Sequence, residues 1–374
     1  MENPSRNPAQ DPARGLPAPP ALGAAALPPG TYEGQVVLVT GGGSGLGKAI
    51  AAEFARLGAD LVIAGRRARQ LKAAREELAA VPGAGRVTAA VCDIRDPERV
   101  AEVFDAAQAA VGLPDVLVNN AAANFPSPAE DLTPGAWRAV VDITLTGTWF
   151  MTREFGRRHL AAGTPGSIVN IGASYAWTGG PGFAHSAAAK AGVKNLVETL
   201  AVEWGPYGIQ INGLVPGLFP HPDLPESITA ELAGGTGAGS SGGTAGRSGG
   251  RLDGGTGGGT AGGLGGRPGG RLDGEPGGRT GGEPGGRLDG EPSGGTGGGL
   301  DGRTGGGLDA RQPALRVGAP RELGWAATFL ASPYARFVTG HTLVVDGANW
   351  QRRTVVNPEL TPLRTQLGRG PFTP

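Results

Sequence analysis

The sequence predicts an α/β fold with a doubly wound parallel sheet. Two observations predict it. Short apolar runs alternate with segments of helical period, and the first apolar run ends in a glycine-rich turn that leads into a helix. Such an alternation favours parallel strands joined by helical crossovers. Ligands on sheets of this kind gather at the carboxyl ends of the strands.

The elements follow in order along the chain. The first strand is the apolar run Val36–Val39, and the turn Thr40–Gly47 follows it. After the turn, apolar residues recur at helical spacing at Ala49, Ile50, Phe54 and Leu57. The next strand is Leu61–Ala64, and a charged helix is predicted around Gln70–Ala80. Further strands are predicted at Val87–Val91, Val116–Val118, Ser167–Ile171, Ile209–Val215 and Thr342–Val345.

Composition limits how much of the chain folds. Of 374 residues, 71 are glycine and 32 are proline, so we expect one folded domain rather than two. We expect a disordered Pro/Ala-rich tail over residues 1–30, a folded domain over 31–232 and 310–374, and a disordered Gly-rich insertion over 233–309. In the insertion glycine recurs at every fourth residue, and sparse apolar residues cannot offset the entropy of ordering that backbone. The alternative for this segment is a specific interaction or lid element.

Charge and cysteine content exclude several classes. Lys plus Arg and Asp plus Glu both number 33, so no net field favours nucleic acid or an anionic membrane, and no apolar run is long enough to span a bilayer. The single cysteine, Cys92, is expected to fill the core of a cytoplasmic protein. We expect no metal, because His159, His221 and His341 are scattered without ligand spacing.

The glycine turn predicts a dinucleotide site. Gly41, Gly45 and Gly47 let the backbone turn tightly and approach a pyrophosphate, and the helix that follows offers free N–H groups. Because the turn lies between an apolar strand and an amphipathic helix, we favour a cofactor site over a mere turn. The expected contacts there are Gly41, Gly43, Ser44, Gly45, Leu46 and Gly47.

The end of the second strand favours NADP(H) over NAD(H). Selectivity for NAD needs a carboxylate at this point, whereas the chain has Gly65 followed by Arg66 and Arg67. Arg66 can pair bidentately with a 2′-phosphate. The alternative is a solvated arginine pair.

Several motifs together resemble the short-chain dehydrogenase/reductase family over nearly all of the folded part. They are Thr40-Gly41 with Gly45 and Gly47, Cys92-Asp93, Asn119-Asn120-Ala121-Ala122, Lys190, Pro216-Gly217 and Val345-Asp346-Gly347. The resemblance implies a nicotinamide cofactor, with Asp93 beside the adenine and the turn at Asn119 and Asn120 on the ribose side. It also implies that Pro216 and Gly217 border the nicotinamide and that Lys190 grips its ribose.

The chain departs from that family where the proton donors stand. Thr144 lies at the usual catalytic asparagine, Ala173 at the usual serine and Ser186 at the usual tyrosine. Lys190 alone of the common tetrad is in place, and the nearest phenol is Tyr175. A changed acid implies a changed reaction.

One branch, the 2,4-dienoyl-CoA reductases, is similar to this chain in its rearrangement. The matching motifs are Asn119 to Phe125, Ala136-Trp137, Tyr175-Ala176, Ser186-x-x-x-Lys190 and Glu203-Trp204-Gly205. In that branch an asparagine and a relocated tyrosine hold the thioester carbonyl, and NADPH gives the hydride. The resemblance assigns catalytic roles to Asn124, Tyr175, Ser186 and Lys190, cofactor contacts to Arg66 and Asp93, and substrate contacts to Arg95 and Phe125, as well as to Asn124 and Tyr175.

These residue types suit the reaction. Hydride addition to the far end of a conjugated thioester puts negative charge on the carbonyl oxygen, and an amide N–H with a phenol O–H would stabilise it. Ser186 and Lys190 share a helix face, and the lysine charge would ease ionisation of the phenol. Simpler interpretations are a loop aromatic for Tyr175, a turn-shaping asparagine for Asn124 and a helix-surface serine for Ser186. We expect His185 to be structural or to line the substrate.

The sequence thus favours an NADPH-dependent reductase of enoyl-type thioesters, with an acyl-CoA substrate. A trans-2-enoyl-CoA reductase, a carbonyl reductase and a catalytically silent NADP-binding sensor or scaffold stay open. The resemblance also implies a homo-oligomer, commonly a tetramer, formed through the helices around Pro134–Leu160 and Phe183–Trp204.

Overall fold

The computed structural model describes residues 19–20, 25–221, 313–314 and 316–352. The predicted Gly-rich insertion at 233–309 lies outside the described residues, as does most of the predicted tail at 1–30. Residues 25–30 are described, and Leu27 packs against the core. The folded part therefore includes a few residues before the predicted boundary at 31.

All seven predicted strands are present in the described residues, within one residue of their expected bounds. They are β1 (Val36–Thr40), β2 (Asp60–Gly65), β3 (Val87–Val91), β4 (Val116–Asn119), β5 (Gly166–Ile171), β6 (Ile209–Pro216) and β7 (Thr342–Val345). The helices are α1 (Gly45–Arg56), α2 (Ala68–Ala79), α3 (Pro97–Ala110), α4 (Pro134–Val141), α5 (Thr148–Ala162), α6 (Tyr175–Thr178), α7 (Ala184–Trp204) and α8 (Pro320–Ala331). Short 3₁₀ turns lie at Ala129–Asp131, Gly205–Tyr207, Pro333–Ala335 and Trp350–Arg352.

The strands form one parallel sheet in the order β3-β2-β1-β4-β5-β6-β7. The chain reverses its winding between β1 and β4, which makes this gap the switch point where ligands of such sheets bind. The predicted fold class is therefore confirmed. The glycine turn between β1 and α1 opens at this switch point.

Helices cover both faces of the sheet over two apolar cores. One core lies under α1, α2 and α8 and includes Val39, Phe54 and Leu323, all fully buried. The other lies under α3, α5 and α7 and includes Leu38, Phe104 and Phe155. Successive residues of β1, such as Leu38 and Val39, therefore point to opposite faces, as expected for a strand covered on both sides.

Helices α4 and α5 are joined by a π-helical segment, Asp142–Gly147, with helical backbone on either side. Such segments are rare and occur mostly as insertions in α-helices at functional sites. Gly147 permits the close approach of this segment to the loop after β3, because a Cβ there would lie 2.6 Å from the Ile94 side chain. The segment was not predicted.

In addition to the pairing of β6 with β7, the described chain before and after the Gly-rich stretch meets close to that stretch. The Gly318 N–H donates to the Leu218 carbonyl at 2.9 Å. Phe219, which is buried, lies directly against the Gly318 Cα, where a side chain would collide with the ring. We call this pairing of residues 218–219 with Gly318 the stem.

Within the part of the chain that the structure describes, no helix combines the length and apolar character needed to cross a membrane.

Candidate active site

The turn after β1 adopts the conformation that its glycines permit. Gly41 and Gly45 have φ of +66° and +50°, in the left-handed region that favours glycine. A Cβ on Gly41 would lie 2.7 Å from the Asn120 amide nitrogen, and a Cβ on Gly47 would collide with that nitrogen and with the Gly41 carbonyl. The close approach of the Asn120 side chain and of the Gly41 carbonyl explains why these positions are glycine.

The end of β4 fastens this turn. The Asn120 amide donates to the Thr40 carbonyl at 3.0 Å, and the Thr40 hydroxyl accepts the backbone N–H groups of Asn120 and Ala121, each at 3.0 Å. The buried amide of Asn119, the residue before Asn120, donates to the Thr152 hydroxyl at 2.9 Å and to the Asn170 side-chain oxygen at 2.8 Å. Asn120, predicted to contact the cofactor, therefore also braces the glycine turn.

A cavity of about 340 Å³ opens above the turn. Its lining contains most of the predicted cofactor residues, namely Gly41, Gly43, Ser44, Gly45, Leu46, Arg66, Asp93 and Asn120. It also contains residues that the sequence did not assign to it, namely Arg67, Gln70, Cys92, Ile94 and His221. Cys92 is buried as expected, and burial raises its thiol pKa to about 11, so it stays protonated. The narrow glycine cradle, which opens at the start of α1, fits the pyrophosphate of a dinucleotide.

The one carboxylate among the described residues that line the cavity, Asp93, is paired with an arginine. Arg95 donates to both carboxylate oxygens of Asp93, at 2.9 Å and 3.1 Å from its Nε. This pairing, with Arg66 nearby, holds the pKa of Asp93 below its ordinary value. The structure thus places Arg95, predicted to contact substrate, on Asp93 beside the cofactor cavity.

The phenol, the carboxamide and the serine come together at the carboxyl end of β5. Tyr175 begins the short helix α6, and its hydroxyl lies 3.0 Å from the Ser186 hydroxyl on α7. The Asn124 amide, from the loop after β4, donates to the Tyr175 hydroxyl at 3.3 Å. Ser186 is buried rather than on the helix surface. We call these three residues the phenol cluster.

Burial controls protonation in the phenol cluster and beside it. It raises the pKa of Tyr175, and the hydrogen bond to Ser186 opposes this only in part. Burial also lowers the pKa of Lys190 to about 8. The Lys190 ammonium donates to the Ile171 carbonyl at the end of β5. Ser186 is the residue whose hydrogen bond lowers the phenol pKa, and the expectation that the Lys190 charge eases ionisation of the phenol stays a prediction.

Aromatic rings support the short helix that carries the phenol. The Tyr175 ring stacks on Phe183 with 6.0 Å between centroids, and Trp177 stacks on Trp350 at 5.6 Å. Phe125, a predicted substrate contact, packs edge to face at 4.6 Å on the fully buried His185. The prediction that His185 is structural or lines the substrate stays a prediction. The pairing of Trp177 with Trp350 was not predicted.

Pro216 and Gly217 end β6 beside this aromatic group and do not line the cavity over the glycine turn. The Gly217 N–H donates to the Val345 carbonyl at 2.9 Å, and a Cβ on Gly217 would lie 2.6 Å from the Asp346 Cα. Asp346 in turn accepts the Trp350 N–H at 2.8 Å. Their predicted contact with nicotinamide stays a prediction.

Two family comparisons agree with this architecture. Residues 35–232, more than half of the chain, match the short chain dehydrogenase family, and residues 301–348 match the family described as Enoyl-(Acyl carrier protein) reductase. A solved short chain dehydrogenase from Bacillus anthracis superposes with a TM-score of 0.60 at 29% identity, covering 84% of this chain and 96% of that one. The citronellol catabolism dehydrogenase of Pseudomonas aeruginosa superposes with a TM-score of 0.59 at 28% identity, covering 87% and 99%.

The curated relatives are more similar in sequence but overlap less. A probable 2,4-dienoyl-CoA reductase of Bacillus subtilis is 43% identical over 50% of this chain and 72% of its own length. A probable 2,4-dienoyl-CoA reductase of Caenorhabditis elegans is 43% identical over 51% and 62%. An uncharacterized oxidoreductase of the same nematode is 44% identical over 54% and 64%. This chain thus spans less than two thirds of the length of the two nematode proteins.

The parallel sheet and the glycine cradle at its switch point define the class, an α/β protein of the dinucleotide-binding type. Within that class the chain belongs to the short-chain dehydrogenase/reductase family, which consists of oxidoreductases that use nicotinamide cofactors.

Proposed function

We propose that this chain is an NADPH-dependent reductase of conjugated enoyl thioesters, acting as a 2,4-dienoyl-CoA reductase. The observation that carries the proposal is the phenol cluster, in which Asn124 and Ser186 both reach the Tyr175 hydroxyl. The names of the relatives from Bacillus subtilis and Caenorhabditis elegans support the same substrate class.

NADPH, when bound, would supply the hydride. The chain's own residues then have to stabilise the negative charge that develops on the thioester oxygen. Asn124 and Tyr175 each offer a neutral donor, and removal of one such donor from an oxyanion site costs on the order of 3 kcal/mol. Because burial raises the pKa of Tyr175, the phenol keeps its proton at neutral pH and remains a donor. Ser186 fixes the direction of that hydroxyl.

The choice of NADPH over NADH is supported by the charges around the cavity. The end of β2 is Gly65, so no carboxylate is available there for a ribose diol. Asp93 is the nearest acid in the lining, and Arg95 holds it in an ion pair. Arg66 and Arg67 line the same wall and are exposed, which leaves them accessible to a 2′-phosphate.

A reductase of monounsaturated thioesters is the second candidate, since residues 301–348 match the family described as Enoyl-(Acyl carrier protein) reductase. Both candidates predict consumption of NADPH with a thioester. The test is a panel of a dienoyl-CoA, a monoenoyl-CoA and a small ketone with the purified full chain. Fastest turnover of the dienoyl-CoA supports the proposal, and turnover of the ketone alone contradicts it. NADPH binding without turnover of any of them favours a sensor.

A homo-oligomer, commonly a tetramer, and a cytoplasmic location belong to the same proposal. Apolar side chains such as Trp137, Leu160 and Val202 are exposed on α4, α5 and α7, where the contacts between subunits are expected. Relatives in Arabidopsis thaliana and Danio rerio are named as peroxisomal enzymes, so fractionation of cells has to separate the two compartments. Light scattering of the purified chain tests the oligomeric state.

A further inference from the structure

Thr144 lies in the π-helical segment and is fully buried. Its hydroxyl makes two hydrogen bonds, both with the backbone of Ala123. It accepts the Ala123 N–H at 3.3 Å and donates to the Ala123 carbonyl at 3.3 Å. Ala123 directly precedes Asn124, so one side chain holds both polar backbone groups next to the residue that reaches the phenol.

The other described contacts of the loop that carries Asn124 lie further from that residue along the chain or on its C-terminal side. Residues 120–128 contain no helix or strand, and both Asn124 and Phe125 are exposed. The described contacts that anchor the loop beyond Ala123 are the Phe125 ring on His185 and the Ser127 N–H on the Gly182 carbonyl at 2.8 Å. Neither contact fixes the backbone on the N-terminal side of Asn124. On that side Thr40 holds the N–H groups of Asn120 and Ala121, and Thr144 holds Ala123, the residue directly next to Asn124.

The helix itself holds Thr144 in place. The Thr148 hydroxyl donates to the Thr144 carbonyl at 2.8 Å, and Gly147 lies against Ile94 on the other side. The hydroxyl of Thr144 is therefore presented by a rigid element rather than by a loop. A rigid support of this kind determines how accurately a donor can be aimed.

We propose that Thr144 is a positioning residue that acts through Asn124, setting the distance from the Asn124 amide to the Tyr175 hydroxyl. The inference rests on the proposed function, since it assigns Asn124 to the stabilisation of charge on the thioester oxygen. Thr144 does not touch that oxygen. Its effect on the reaction passes through the backbone of Ala123.

The test replaces the hydroxyl with a methyl group of nearly the same size. We expect Thr144→Val to lower kcat with a dienoyl-CoA about 10-fold and to leave the Kd for NADPH unchanged, because misplacement of a donor by about 1 Å costs up to about 100-fold. Thr144→Ser keeps the hydroxyl and is expected to restore kcat to within about 2-fold. Thr328→Val is the matched control, since Thr328 is equally buried on α8 and donates only to a helix carbonyl.

A double variant separates a specific role from a general loss of packing. If Thr144 acts through Asn124, Thr144→Val adds no further loss of kcat in an Asn124→Ala background. Multiplicative losses in the double variant overturn the inference, as does an unchanged kcat in Thr144→Val. If Thr144→Val does not fold, the kcat values of Thr144→Ser and Thr144→Ala are compared instead. A higher kcat in Thr144→Ser supports the inference, and equal values overturn it. Failure of the proposed function is distinct, because the unaltered chain then reduces no enoyl thioester.

Discussion

The cofactor cavity and the phenol cluster lie at the same edge of the sheet but are built from different parts of the chain. The cavity is shaped by backbone, with Gly41 and Gly47 packed where any Cβ would collide. The phenol cluster is shaped by three side chains from three separate elements, at distances of 3.0 and 3.3 Å. Backbone shape is set by the local sequence, whereas a side-chain cluster depends on the packing of everything that supports it.

The two regions should therefore respond differently to substitution. Changes in the phenol cluster should lower turnover and leave cofactor binding intact. Changes in the glycine cradle should weaken cofactor binding and leave turnover of the bound complex intact. A variant that affects both equally would contradict the division.

The largest effect is expected from Tyr175→Phe. The change removes one of the two donors to the developing oxyanion, so kcat should fall by about 10²- to 10³-fold while the Kd for NADPH stays the same. Steady-state kinetics with a dienoyl-CoA and a fluorescence titration with NADPH measure the two quantities. Retention of full activity would sink the proposed mechanism.

Lys190→Met tests how the burial of the Lys190 ammonium changes the free energy of unfolding with pH. Burial lowers the pKa of Lys190 from 10.5 to about 8, so between these values the unfolded chain binds more protons than the folded one. The free energy of unfolding of the unaltered protein should thus rise with pH across this range, by about 3 kcal/mol, and Lys190→Met should lack this rise. Denaturant titrations at pH 7 and pH 10.5 give the comparison. An equal change in both proteins would show that another group titrates.

Gly47→Ala tests the backbone-built region. The added Cβ collides with Asn120 and the Gly41 carbonyl, so the turn has to open, which we expect to weaken NADPH binding by about 30-fold, or about 2 kcal/mol. Gly205→Ala is the matched control, because no atom lies within 4 Å of a Cβ there. Equal NADPH affinity in Gly47→Ala and Gly205→Ala would refute the steric argument.

The smallest effect is expected from Arg66→Ala. Loss of a charge-assisted contact with the 2′-phosphate should weaken NADPH binding by about 10-fold, and the affinity for NADH should stay constant. Parallel titrations with the two cofactors measure the ratio. A parallel loss with both cofactors would assign Arg66 to the shape of the cavity instead of to the phosphate.

Sequence reasoning predicted the strands and the glycine cradle because both follow from short-range patterns of apolar residues and glycine. It did not predict α6, since four residues are too few for a helical period to be recognised. The grouping of Tyr175, Asn124 and Ser186 came from resemblance, and the structure brings them within hydrogen-bond distance.

The contacts that support the phenol cluster could not be predicted from the sequence. The stack of Trp177 on Trp350 and the bonds from Thr144 to Ala123 join residues far apart in the chain, and they depend on side-chain rotamers. The burial of Lys190 could not be predicted for a related reason. Spacing along a helix places the ammonium on a face but says nothing of how deeply it is buried.

The stem at Leu218 and Gly318 has a consequence for how this fold tolerates change. The hydrogen bond of the stem and the buried Phe219 ring hold together the two segments of chain that flank residues 222–312. Because the two segments are joined at the stem, a change in the length of the chain between them leaves the folded part undisturbed. The sequence between residues 222 and 312 can therefore be lengthened, shortened or exchanged, because the entropy cost of closing a loop grows only slowly with the number of its residues.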